Sequence, residues 1–344
     1  MVYLNNAHTT AVKPPAYYEA QDASLAEAEE KLRDFFVCKN NESIILTEGG
    51  RQAVMAACLS LIREGDHIIT TDMEHSAVLE ALAVLEEWGC SVTYIPLNSY
   101  GTLRYELIEE AIGEKTAAIV CCHGSHVTGN IVDLEHVCTI ARRHGLRLIV
   151  DGCQSAGAVP VDLHSLSVDA FCFSGHKKLL GPYGSGGICL REGLELTDEA
   201  RRLVQAPSPE KLGQLCASLD FIKEKGLYGI SIFPHRLAKR FFEAVKSMQD
   251  VTVYGDFGTN TRVPTVALSV RGFSPKEVKL FLQKRGIAAA AGVFEAPRLM
   301  KSFGREQEGV VRFSFGYFNT RQEVNEAVWA LMELQGLDDL YLLS

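Results

Sequence analysis

Over residues 24–191 short apolar runs suited to buried strands alternate with segments whose apolar positions recur at helical spacing. Strands are predicted at 44–47, 67–72, 91–96, 117–122, 146–151, 168–173 and 188–190. Helices are predicted at 24–36 behind a capping serine, from 48 to 63, and at 76–88, 103–112 and 134–144. So regular an alternation implies an α/β fold with a mostly parallel sheet covered on both faces. Ligands of such sheets sit beyond the carboxyl ends of the strands, which puts Thr47, Asp72, Asp151 and Lys177 around one crevice.

After Arg191 the pattern changes. Helices at 209–225 and 233–248 lead into strands at 251–254 and 263–270, a helix at 275–285, a strand at 310–315 and a helix at 322–334. That order reads as a second, compact α+β unit. No internal repeat or low-complexity segment interrupts it.

Composition narrows the class. The chain has 344 residues, 47% of them apolar and 22% charged, as an ordinary globular enzyme has. A net charge of −9 argues against a general binder of nucleic acid or of an anionic membrane. The segment Met1-Val-Tyr-Leu-Asn-Asn-Ala-His-Thr-Thr10 is too polar for a signal peptide, and no apolar run approaches membrane length, so a cytoplasmic location is expected. The ten cysteines lie mostly inside apolar runs, as buried reduced thiols do. Cys121-Cys-His-Gly-Ser-His126 is not expected to bind metal, because adjacent strand residues point to opposite faces.

The densest chemistry lies in Phe173-Ser-Gly-His-Lys-Lys-Leu-Leu-Gly-Pro-Tyr-Gly-Ser-Gly-Gly187, a glycine-rich turn between two buried strands. Desolvation at such a strand mouth favours a neutral, nucleophilic lysine amine. Upstream, the strand at 44–47 feeds Gly49, Gly50 and Arg51 into a helix. Free N–H groups and the helix dipole make that turn a seat for an anion such as a phosphate. Asp151, ending a strand, reads by itself better as a helix cap.

Ser174-Gly-His-Lys177 at a strand end resembles the pyridoxal-phosphate lysine motif of the class V aminotransferase and cysteine desulfurase family. So do Asp72-Met-Glu-His-Ser-Ala77, Asp151-Gly-Cys-Gln154, the opening Tyr3-Leu-Asn-Asn-Ala-His-Thr-Thr10 and the closing Val311-Arg-Phe-Ser-Phe-Gly-Tyr-Phe-Asn-Thr320. The resemblance implies the fold-type-I transferase architecture, with a seven-stranded sheet in a large domain at 15–230 and a small α+β domain at 231–344 joined by residues 1–14. It implies pyridoxal 5'-phosphate as cofactor, Lys177 as its Schiff-base lysine and Lys178 as a solvated neighbour. Ser174 and His176 would meet the phosphate, Asp151 the pyridine nitrogen and Gln154 the phenolic oxygen. His75 would stack on the ring and relay protons, and Arg312 would clamp a substrate carboxylate.

The chain also departs from that family. In the late loop that carries the desulfurase cysteine stands Glu295, with Phe294 and Ala290 in place of a histidine and an arginine. Arg51 and Gln52 replace a threonine and a glutamate, and His126 stands where an asparagine approaches the phenolic oxygen. The segment that reaches the partner subunit's phosphate is shortened between Arg191 and Pro209, so Arg51 is expected to supply that contact within the chain.

The expected function is therefore Cα chemistry on an amino acid (transamination, β-elimination or racemisation) in a homodimer, without a persulfide cysteine. Lys177, His75 and Glu295 are the catalytic candidates. One alternative is a sulfur or selenium transferase that uses Cys153 and hands its cargo to an acceptor protein. Another is a non-catalytic homologue that binds cofactor or a partner protein.

Overall fold

The structure is a computed structural model that describes residues 1–39, 41–259 and 261–336. A short strand, β1 (Val2–Tyr3), and a one-turn helix, α1 (Pro15–Tyr18), precede α2 (Leu25–Phe35). Helix α2 starts at a capping box in which Ser24 and Glu27 satisfy each other's backbone N–H groups. The alternation then runs β2 (Ser43–Thr47), α3 (Gly50–Leu61), β3 (His67–Thr71), α4 (Ser76–Glu87), β4 (Ser91–Ile95), α5 (Tyr105–Glu110), β5 (Thr116–Cys122), α6 (Leu134–His144), β6 (Arg147–Asp151), β7 (Ala170–Ser174) and β8 (Gly186–Leu190).

The seven strands form one sheet in the order β2-β8-β7-β6-β5-β3-β4. Pairing is parallel from β7 through to β4, and β8 runs antiparallel to both of its neighbours. Side-chain alternation explains why these runs are apolar throughout. Leu148, Val150, Phe171 and Phe173 enter the core on one face, while Ile149, Ala170 and Cys172 enter the core on the other.

Beyond β8 come α7 (Asp198–Leu203), α8 (Pro209–Lys225), α9 (Leu227–Val245), β9 (Val251–Tyr254), β10 (Thr265–Val270), α10 (Pro275–Lys284), β11 (Ile287–Ala288), β12 (Ala290–Gly292), α11 (Pro297–Ser302), β13 (Val310–Ser314) and α12 (Arg321–Leu334). An antiparallel sheet, β12-β13-β10-β9, carries a core of its own around Phe241, Phe313 and Phe315. Strand β1 pairs in parallel with β11, so Val2 and Leu4 belong to this second core.

The fold agrees with the α/β expectation and differs in detail. Helix α9 begins at Leu227 rather than at 233 and carries Pro234 inside it. Gly229, Ser231 and Pro234 weaken the local helical signal. Packing overrides it, because Ile230 inserts into the first core and Leu237 and Phe241 into the second. The drawn division at 230/231 thus falls within one continuous helix. Arg312 lies on β13, an interior strand of the second sheet. The short elements β1, α1, α7, β11, β12 and α11 span too few residues to show a periodicity.

Asp169 fixes the register of the central strands at the end away from the turn carrying Lys177. Its buried carboxylate accepts from Leu148 N–H at 2.9 Å and pairs with Arg147 and Arg191, each at 2.8 Å. Replacing it leaves a buried donor unmet. Asp169→Ala is expected to lower unfolding stability by about 2–3 kcal/mol, measured by denaturant titration, with the secondary structure unchanged in circular dichroism.

Candidate active site

A cavity of about 400 Å³ opens beyond the carboxyl ends of β6 and β7. The first turns of α3 and α4 form one wall, Ala7 and His8 another, and Phe294 and Glu295 lie across the mouth. The antiparallel join between β7 and β8 is what presents Lys177. The turn leaves the sheet at Ser174, which pairs with Gly186, and the lysine sits half-buried on the cavity wall.

Asp151 ends β6 at 7% exposure, and its Oδ1 accepts from the Cys153 N–H at 2.9 Å. Gln154 donates through Nε2 to the Ala7 carbonyl at 2.8 Å. His75 is the N-cap of α4: its Nδ1 accepts from Ala77 N–H at 3.0 Å, so the neutral ring carries its proton on Nε2. The His126 ring stands edge-on to it, 4.8 Å between centroids, and its Nε2 donates to the Phe294 carbonyl at 2.6 Å. Arg312 donates to the His126 carbonyl at 3.0 Å and to Asn5 Oδ1 at 2.9 Å.

Four buried polar atoms of cavity-lining residues have no partner: Ser174 Oγ, His176 Nδ1, Gln154 Oε1 and Arg312 Nε. Native interiors leave few such groups unmet, so their convergence marks a place built for a polar ligand. Beside them Gly50 opens α3, whose first-turn N–H groups add donors without charge. Hydroxyl, imidazole and helix N-terminus together suit a phosphate. Asp151 and Lys177 suit the nitrogen and the aldehyde of a pyridoxal ring, and the second N–H of the Gln154 amide is the donor that suits its phenolic oxygen.

Burial sets the charge states. His176 is pushed down to about 3 by desolvation, then by Lys177 and Lys13. His126 lies well below its ordinary range for the same first reason, and His75 is also lowered by burial and by Lys177. All three imidazoles are therefore neutral near pH 7. Glu295 is shifted the other way, below the usual carboxylate range, first by the Ser76 hydroxyl and then by His75 and Arg51.

Three expectations need correction. Lys178 is not solvated: it is 6% exposed, does not line the cavity, and donates through Nζ to the Phe315 carbonyl at 3.0 Å. Asp72 and Thr47 do not line the crevice either. Asp72 pairs with Arg298 at 2.6 Å, and the Thr47 hydroxyl donates to the Gly49 carbonyl at 2.9 Å. Arg51 does reach the cavity, but its guanidinium is engaged by Glu80 and, at 2.8 Å, by Glu295, so its charge is not free for a phosphate. Two lining residues escaped the sequence reading. Tyr183 lies against the His176 ring at 4.8 Å, and His8 replaces an alanine in the opening motif, a visible signal. Among the described residues no three His, Cys, Asp or Glu side chains come together as a metal site, and no helix is long and apolar enough to cross a membrane.

The family model described as "Aminotransferase class-V" matches residues 3–326. The chain belongs to the class V aminotransferase family. It is 31% identical to "Probable cysteine desulfurase" of Halalkalibacterium halodurans, an alignment covering 94% of this chain and 91% of that one. It is 28% identical to a cysteine desulfurase of Escherichia coli over 92% and 84% of the two chains. The apo structure of the cysteine desulfurase from Thermococcus onnurineus superposes with a TM-score of 0.87 at 27% identity, covering 98% of this chain and 95% of that one. The class V chain described here is thus a desulfurase-like enzyme of a family that is generally pyridoxal-phosphate dependent, in the fold those relatives share.

Gly50 is the tightest point of the site. A Cβ there would lie 2.1 Å from Cys153 Sγ. Gly50→Ala is expected to cost about 1–3 kcal/mol in thermal unfolding, and adding Cys153→Ala should recover most of it. Lys178 offers a pH test. Its amine is pushed down to about 7 from an ordinary 10.5 by desolvation, then by Arg312 and Lys177. A lowered folded-state pKa means that the unfolded chain binds the extra proton between these values, so the residue's contribution to stability is lost as pH falls from 10.5 to about 7. Lys178→Met should therefore flatten the rise of melting temperature with pH across that window.

Proposed function

We propose that this chain is a pyridoxal-phosphate-dependent enzyme acting at the Cα of a free amino acid, without a persulfide cysteine. The reading is carried by the convergence of Ser174 Oγ, His176 Nδ1, Gln154 Oε1 and Arg312 Nε, all unpartnered, on the cavity that holds Lys177 and Asp151. When bound, the cofactor supplies an aldehyde that condenses with amines and a ring that takes up an electron pair from Cα.

The chain's own residues supply the rest. Ser174, His176 and the first turn of α3 hold the phosphate, and Asp151 holds a proton on the pyridine nitrogen. Arg312, which lines the cavity and has an unpartnered Nε, binds the substrate carboxylate. Lys177, released by the incoming amine, is the base that removes the α-proton. His75 Nδ1 already accepts the Ala77 N–H, so the ring orients and stacks rather than serving as that base.

Glu295, anionic where desulfurases carry a thiol, cannot take up sulfur as a thiolate does. Cys122 and Cys153 line the cavity, but desolvation pushes both thiols well above the ordinary range, which weighs against the sulfur- or selenium-transfer reading. The test is direct. Purified protein with pyridoxal phosphate should show a visible band that borohydride abolishes, leaving the pyridoxyl group on the peptide containing Lys177; Lys177→Ala should lose both, and amino acids should exchange their α-proton with solvent only with the lysine present. Absence of the band would leave the non-catalytic reading standing.

A further inference from the structure

Phe294 and Glu295 form a strap that contacts Arg312, His126 and the first turns of α3 and α4. Both residues adopt φ of 55°, a left-handed conformation that side chains rarely take and that surrounding contacts must enforce. Those contacts are present. The Phe294 carbonyl accepts from His126 Nε2 at 2.6 Å, and the Glu295 carbonyl accepts from Ser76 N–H at 2.7 Å. The Glu295 carboxylate accepts from the Ser76 hydroxyl at 2.5 Å and from Arg51 at 2.8 Å, with His75 Nε2 at 3.4 Å. The base of the strap is pinched as well, because a Cβ on Gly309 would lie 2.0 Å from the Gly292 backbone.

The strap lays the Phe294 ring over the Arg312 guanidinium, 4.3 Å from Cζ to the ring centroid. The guanidinium thus rests against that ring. In its plane, Nη1 donates to the His126 carbonyl and Nη2 to Asn5, while the buried Nε has no partner and the residue lines the cavity. A carboxylate binds a guanidinium in its plane, so a ring on the face and an anion at the edge are compatible.

We infer that Phe294 is the residue that fixes selectivity for a substrate carboxylate, by holding the Arg312 plane edge-on to the cavity, and that Glu295 is its latch rather than an acid or base. Phe294 and Glu295 are positioning residues, and the inference rests on the proposed amino-acid chemistry. The position that bears a reactive thiol in desulfurases is used here to frame the carboxylate site.

The test compares L-alanine with ethylamine, which lacks only the carboxylate, by titrating the visible band of the holoenzyme. Phe294→Ala should lower the alanine-to-ethylamine preference by about ten- to thirtyfold, the range of a desolvated cation–π contact, and Phe294→Tyr should restore it. Glu295→Gly removes the latch while easing the left-handed backbone, so it should fold and shift the preference in the same direction. In cofactor-free protein, acetate should perturb the Arg312 Nε resonance in wild type and do so with weaker affinity in Phe294→Ala. The inference is overturned if Phe294→Ala and Glu295→Gly keep the preference, or if Phe294→Ala weakens both ligands and the cofactor equally. A missing visible band would instead refute the cofactor reading, while the acetate titration would still test the strap.

Discussion

The site depends on how closely α3 approaches the strand ends. Gly50 has no side chain, Cys153 Sγ fills the space one would occupy, and the first turn of α3 therefore meets the ends of β6 and β7 directly. A larger residue there would displace the Cys153 side chain or lift the helix terminus away from Ser174 and Lys177. The parallel strands bring Asp151 and the β7–β8 turn to the same edge, and this contact turns that edge into a cavity rather than a groove.

Desolvation then does two opposite things. It keeps His75, His126 and His176 neutral, so the site holds donors and acceptors without accumulating positive charge. It also silences the thiols, since Cys122 and Cys153 stand beside Asp151 in a dry wall. Glu295 escapes this because its carboxylate sits at the exposed mouth, with Ser76 and Arg51 as partners. A residue's distance from solvent, more than its chemical type, thus decides which groups here carry charge.

The sheet and most of the cavity were legible in the sequence because a strand buried on both faces writes an unbroken apolar run, and its last polar residue marks the site. Asp151 and Ser174 follow that rule, and Lys177 comes in the turn just beyond Ser174. What stayed hidden depended on partners far along the chain. Lys178 looked solvated beside its twin, yet its stem reaches Phe315, and Arg51 looked free for a phosphate, yet Glu80 and Glu295 meet it. The start of α9 was masked because Gly229 and Pro234 speak locally, whereas Ile230 and Phe241 answer to two separate cores.

The hydrogen bond from Arg312 to Asn5 spans 307 positions of the chain. Strand β1 likewise finds its partner only in β11, and Leu4 packs in the same core as Leu331. Loop closure over such a span comes late, after local helices and the sequential strands have formed. During synthesis β1 and Asn5 must wait until β11 and β13 have emerged. The contacts that hold Arg312 are thus assembled late, and a chain cut before them holds the Lys177 turn without the wall that Arg312 and Asn5 build beside it.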